Sequence, residues 1–132
     1  MQSFSFSKDE KLKSRKAIAS IFSKRLSIGA YPLRFFYSIQ ENENSSSPVK
    51  VGFSVSKKLY KKAVDRNRLK RLMREVYRHE KHALIDFAVN NNIEIIGMWV
   101  FVGKEISEIG EIQHALLKSM KKLQQEITNK AT

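Results

Sequence analysis

Apolar residues recur along this chain at two different beats, and the beats divide it into elements. Residues 8–26, KDEKLKSRKAIASIFSKRL, place Leu12, Ala17, Ile18, Ile21 and Phe22 three or four residues apart, which predicts a short amphipathic helix. YPLRFFYSIQ has near its start a proline, Pro32, suited to a strand's first position and continues with aromatic and β-branched residues. ENENSSSPV has no period and predicts a loop over 41–48. Alternation returns in KVGFSVS, with Val51, Phe53 and Val55 on one side and Gly52, Ser54 and Ser56 on the other. These two strands are expected to pair as a hairpin across the serine-rich loop.

A helical period then runs from about 64 to 88 and stops at the NNN tract. At about 100° per residue, Leu69, Leu72, Met73, Val76, Tyr77, Ala83 and Leu84 fall within an arc of about 140°, the width of a core-facing stripe. Ile93–Val102 has little polar alternation and predicts a strand covered on both faces. Ser107 is placed to cap a last helix, with Glu108 and Glu111 near its positive end. Ile109, Ile112, Leu116, Met120, Leu123 and Ile127 give that helix one packed side. The expected order is α-β-β-α-β-α, one α+β domain over residues 1–132 with helices against a small mixed sheet and frayed ends at 1–10 and 128–132. A length of 132 residues, 42% of them hydrophobic, suits a single globular domain.

Charge changes the picture. Against 25 Lys and Arg stand 13 Asp and Glu, a formal net charge of +12. Self-repulsion of that size works against a compact state, and a polyanionic partner is the usual reason to keep it. The excess is concentrated on the long helix in VDRNRLKRLMREVYRHEKH, where Lys70, Arg74, Arg78, Lys81 and Arg71 adjoin the apolar stripe with Asn67 among them. Like charges three and four residues apart cost about 0.2–0.5 kcal/mol per pair, and only Glu75 and Glu80 offer relief within the helix. Arg68 falls on the far flank. Lys57, Lys58, Lys61 and Lys62 add charge where the strand ends and the helix begins. A basic helix beside a strand bearing Ser54 and Ser56 and another bearing Phe35, Phe36 and Tyr37 fits single-stranded nucleic acid, which has a charge at every linkage and a π-face at every base. Alternation sets Phe35 and Tyr37 against Phe36 and leaves open which set is buried.

Other chemistry is poorly represented. The chain has no cysteine, which removes disulfides, thiol catalysis and cysteine-ligated metals and fits a reducing, cytoplasmic setting. The first residues have no secretory core, and IEIIGMWVFVG is about half a bilayer span. His79 and His82 are three apart on the helix without a third ligand, and His114 has no obvious partner, so no metal site is assigned. The acidic residues are too scattered for a two-metal nuclease, and there is no glycine-rich phosphate loop. No side chain is expected to be catalytic.

VGFSVSKKLYKKAVDRNRLKRLMREVYR resembles the signature of the protein subunit of bacterial ribonuclease P: a strand ending in Ser-Lys-Lys, then Arg-Asn-Arg-x-x-Arg-x-x-Arg opening a long helix. LKSRKAIASIF, RFFYSI and MWVFVG extend the likeness over most of the chain. The resemblance implies a ribonuclease P protein-like fold with a left-handed strand-helix-strand crossover. It also implies a partnership with a catalytic RNA that uses Mg²⁺ to remove the 5′ leader from precursor tRNA, the protein holding the single-stranded leader in a cleft between sheet and long helix. No membrane and no obligate protein partner is implied. Arg66, Asn67, Arg68, Lys70, Arg71 and Arg74 match the helix hallmark, Ser54, Lys57 and Lys58 the strand end, and Phe22 and Tyr37 the cleft aromatics. Lys61, Lys62, Arg78 and Lys81 extend the basic face. The chain departs from the family pattern at Ile18, in the longer turn LYKKAV, and in VGKE after the last strand. The alternative is a generic basic RNA-binding module with no role in tRNA processing.

Overall fold

A computed structural model describes residue 6 and residues 8–41 and 47–131. The elements run α1 (Arg15–Lys24), β1 (Ser27–Ala30), β2 (Leu33–Glu41), β3 (Val49–Val55), α2 (Ala63–Asn90), β4 (Ile93–Phe101) and α3 (Ile109–Ala131), with a 3₁₀ turn at Lys8–Glu10 before them. The three helices and three long strands follow the expected order, and one short strand, β1, is added. The expected frays at 1–5, 7 and 132 and most of the 41–48 loop lie outside the described residues.

The sheet order is β1-β2-β4-β3. β2 and β3 are therefore not a hairpin, as the loop between them led us to expect. β4 enters between them, antiparallel to β2 from Leu33↔Phe101 to Glu41↔Ile93 and parallel to β3 from Val49↔Ile95 to Val55↔Phe101. A parallel pair needs a long crossover, which α2 supplies. The hairpin that does form joins β1 and β2 through Tyr31 and Pro32. β1 is fastened to α3 as well: the Ala30 N–H donates to Ser119 Oγ at 3.0 Å, and that hydroxyl donates to the Ala115 carbonyl at 2.7 Å.

Period-two alternation across this register gives the sheet two unlike faces. Leu33, Phe35 and Tyr37 of β2, Ile95, Trp99 and Phe101 of β4 and Val49, Val51 and Val55 of β3 are buried in one cluster with Leu69, Met73, Tyr77 and Leu84 of α2 and Leu116, Met120 and Leu123 of α3. Trp99 lies against Phe35 with ring centroids 4.4 Å apart. The opposite face carries α1, which buries Ile21 and sets Phe22 against Phe36 at 5.1 Å. The result is three layers: α2 and α3, the sheet, and α1.

Several boundaries differ from expectation for identifiable reasons. α1 begins at Arg15 rather than near residue 8, because Ser14 Oγ accepts the Ala17 N–H at 3.2 Å and caps the helix there. Upstream, the chain is extended: Lys11 bridges Val51 in parallel, and the Leu12 N–H donates to the Val51 carbonyl at 2.9 Å. Within the stretch expected to fray, Lys8–Glu10 form the 3₁₀ turn, and residues 128–131 continue α3. Ser107 is buried one residue too early to cap α3; the Glu108 carbonyl accepts from the Glu111 and Ile112 N–H groups instead. On α2 the buried arc is rotated relative to the expected stripe. Ala83 is exposed and Lys81 is buried, because the docked N-terminal segment extends the core on that side.

Gly97 of β4 faces the Phe35 ring, and a Cβ there would overlap that ring and stand 2.8 Å from the Phe36 carbonyl oxygen. Around Gly110 in α3 there is open space. In urea denaturation, Gly97→Ala is expected to lose about 1–3 kcal/mol through overpacking, while Gly110→Ala holds or gains stability through its higher helix propensity. Equal effects at the two sites would contradict this packing.

Candidate nucleic-acid interface

The basic residues divide by what holds them. Lys81 is 1% exposed, and its ammonium donates to both Glu10 carboxylate oxygens, at 2.8 and 2.7 Å. Its expected place on an RNA-facing surface is therefore wrong. The charge lies in the core, and the charge-assisted pair keeps it there, since a lone buried ammonium would be prohibitively costly. Arg66 is also committed. Its Nη1 donates to the Tyr60 and Lys61 carbonyls, both at 2.8 Å, and so closes the turn ahead of α2. Tyr60 is buried in that turn and donates from its hydroxyl to the Gly103 carbonyl at 2.9 Å, tying the turn to the loop after β4; burial raises its pKa. The longer LYKKAV turn is thus filled by an aromatic anchor. Arg78 pairs with Glu75 at 2.7 Å, and His79 meets the same carboxylate at 3.1 Å. The Arg78 hydrogen bond holds the Glu75 carboxyl below its usual range.

The remaining hallmark cations face outward. Arg68, Arg71 and Arg74 are exposed, with Asn67 beside them and Lys70 half-buried. Lys57, Lys58, Lys61 and Lys62 are exposed on the turn. Among the described residues none of these cations is in an ion pair with a carboxylate. They crowd the N-terminus of α2, where the helix dipole is positive, Lys62 makes no side-chain cap and Asp65 is the acidic residue of the first turn. Cations at that end are unfavourable in isolation, and an anion docked against them relieves the strain.

A second surface lies on the α1 side of the sheet. Phe36 projects there beside Phe22, which is 36% exposed, with Arg34 on the same strand face and Lys50, Gly52 and Ser54 on β3. Tyr37, expected as a cleft aromatic, is 2% exposed and stacked against Phe35 on the opposite face under α3. Phe36 occupies the open position instead. The aromatic pattern of β2 had left the choice open; the register with β4 decides it. Ile18 is half-buried on α1. The two surfaces lie on opposite sides of the sheet and meet where β3 ends, at Ser56, Lys57 and Lys58, with the Lys58 N–H donating to Ser56 Oγ at 3.1 Å. The long helix and the aromatic strip therefore do not form the two walls of one cleft, as expected; they are linked around the end of a strand.

The family model described as Ribonuclease P matches residues 6–127. The chain belongs to the ribonuclease P protein family. It is similar to the ribonuclease P protein component of Porphyromonas gingivalis, 34% identical over 117 residues that cover 89% of this chain and 85% of that one. The corresponding protein of Chlorobium phaeobacteroides is 40% identical over 96 residues, covering 71% of this chain and 66% of that one. The structure of the Staphylococcus aureus ribonuclease P protein shares the fold, with a TM-score of 0.64 at 22% identity, over 85% of this chain and 93% of that one. Among the described residues no helix is long and apolar enough to cross a membrane, and no group of three or more His, Cys, Asp or Glu is placed to hold a metal ion.

If the α1-side strip stacks bases, Phe36→Ala should weaken binding of a single-stranded RNA by about 1–3 kcal/mol, and Tyr37→Phe should leave it unchanged. The fluorescence anisotropy of a labelled oligonucleotide reads both, and a loss confined to Tyr37→Phe would reverse the assignment of faces.

Proposed function

We propose that this chain is the protein subunit of a ribonuclease P ribonucleoprotein that acts in tRNA processing. In this reading the exposed face of α2 and the lysine turn bind the catalytic RNA, and the α1-side strip with Phe22 and Phe36 holds the single-stranded 5′ leader of precursor tRNA. The catalytic RNA, with its Mg²⁺, hydrolyses the phosphodiester bond. The observation that carries the reading is the set of outward-facing cations, in no ion pair among the described residues, around a helix N-terminus whose Lys62 makes no side-chain cap, in a chain that belongs to this family.

The protein's part is electrostatic and positional. Lysines and arginines offset phosphate charge and release counterions, which gives affinity that falls steeply with salt. Arg66 and Tyr60 fix the turn, so those cations are arranged before RNA arrives and less ordering is lost on binding. Stacking on Phe36 and Phe22 tolerates any base, which suits leaders of varied sequence.

Reconstitution tests the proposal. Purified protein added to the cognate catalytic RNA at low Mg²⁺ should produce 5′-leader removal from precursor tRNA, and protein alone should produce none. Failure of the pair to cleave, together with equal affinity for precursor tRNA, mature tRNA and duplex DNA at matched salt, would favour a generic nucleic-acid binder. Arg68 lies on the outer flank of α2, away from Phe36. Arg68→Ala is expected to weaken assembly with the catalytic RNA more than affinity for a leader oligonucleotide, measured by filter binding; the reverse order would defeat the assignment of surfaces.

A further inference from the structure

Between the docked N-terminal segment, β3 and α2 runs an open groove of about 360 Å³ along the outer edge of the sheet. Phe6, Lys11, Leu12 and Lys13 form one wall, Val51, Gly52 and Phe53 the floor, and Arg74 the other wall. Apart from Arg74 and Gly52, these residues belong to neither surface described above. The groove joins those surfaces around the edge of β3.

Its construction is specific. Phe6 and Phe53 meet edge to face at 5.8 Å, and Tyr77 backs both rings at the same distance. Each outer ring carries a cation: the Lys11 ammonium lies 5.7 Å from the Phe6 centroid, and the Arg74 guanidinium 6.0 Å from that of Phe53. Cation–π contact steadies these groups without neutralising them. Lys13 brings a third positive charge. The nearest carboxylate on the segment, Glu10, is turned inward to Lys81, and Asp9 is in no ion pair with the three cations among the described residues. The Glu10–Lys81 pair therefore does two things: it pins the segment against α2, and it keeps its own negative charge off the groove.

We propose that this groove binds a single RNA strand, with phosphates between Lys11, Lys13 and Arg74 and a base against the guanidinium plane of Arg74. Glu10 is a positioning residue, acting through Lys81 to hold the lysines opposite the arginine. The inference rests on the proposed function for the identity of the RNA, which is either the leader or an unpaired segment of the catalytic RNA. The volume lies at the lower end of the range for built ligand sites and suits one or two nucleotides rather than a duplex.

The test compares Lys11→Ala/Lys13→Ala with Lys118→Ala/Lys121→Ala, a pair of equal charge on the exposed side of α3. Binding is measured against a single-stranded leader oligonucleotide and, separately, against the catalytic RNA, over a series of salt concentrations. The groove variant should lose at least tenfold affinity for one of these RNAs, and its log–log salt slope should fall by about 1.4, two contacts at about 0.7 each. The RNA affected identifies the occupant. The α3 variant should change affinity less than twofold. Glu10→Gln, checked for native circular dichroism, should reduce the salt slope as the double variant does although no groove cation is removed. Equal losses for the two lysine pairs, or an unchanged slope in the groove variant with both RNAs, would overturn the proposal. Cleavage by the wild-type reconstituted pair is read independently, so failure of the groove and failure of the ribonuclease P reading are distinguishable.

Discussion

The insertion of β4 between β2 and β3 is the constraint on which the rest depends. Because β4 pairs antiparallel with one neighbour and parallel with the other, it aligns the alternation of all three strands, and every inward residue is decided together. A slip of one residue would drive Phe36, Met98 and Gly52 into the main core and push Phe35, Trp99 and Val51 out. The match of large rings on one face forbids this: Trp99, Phe35 and Tyr37 are contiguous, and Gly97 gives Phe35 its space. The same pairing obliges the chain to cross from one parallel strand to the next, so the long helix leaves β3 at a turn where cations can gather.

The charge excess is resolved by sorting rather than by neutralisation. Three basic residues that looked available in sequence are internal fasteners: Lys81 clamps the N-terminal segment, Arg66 closes the turn and Arg78 answers Glu75. Of the three only Lys81 is buried, so the outer face is little diluted. Glu10 and Glu75, engaged by Lys81 and Arg78, are not available to screen Arg68, Arg71, Arg74 and the turn lysines. A protein that must meet phosphate along several surfaces gains from this arrangement, since the groups facing outward need no internal partner displaced before binding.

Much of this was legible in the chain, and the failures have physical causes. The long helix, the buried strand Ile93–Phe101 and the packed side of α3 follow from sustained periods that tertiary contacts only reinforce. A hairpin between β2 and β3 is the expectation because neighbouring strands usually pair, and nothing local announces a third strand arriving from beyond the helix. Strand β1 is four residues long and held partly by Ser119, far along the chain. In the motif, residue types were informative and orientation was not. Tyr37 and Phe36 differ by one position, and only the register with β4 says which faces out. Lys81 continues the basic rhythm of α2 but meets a carboxylate 71 positions away. Lys11 and Lys13 fall in a stretch whose spacing predicts a helix, while the chain there is extended along β3; Glu10 ahead of the pair, and a buried lysine to receive it, are the missing signal.

The account stands on the claim that RNA meets the chain on the α1 side of the sheet and around the start of α2, and not on α3. An amide chemical-shift map of the isotope-labelled protein, titrated with single-stranded leader RNA, addresses it most directly. The account predicts the largest changes at Phe22, Arg34, Phe36 and Ser54, with the exposed side of α3 around Leu117 and Lys121 silent. Changes concentrated on α3, with Phe36 and Ser54 unmoved, would contradict it.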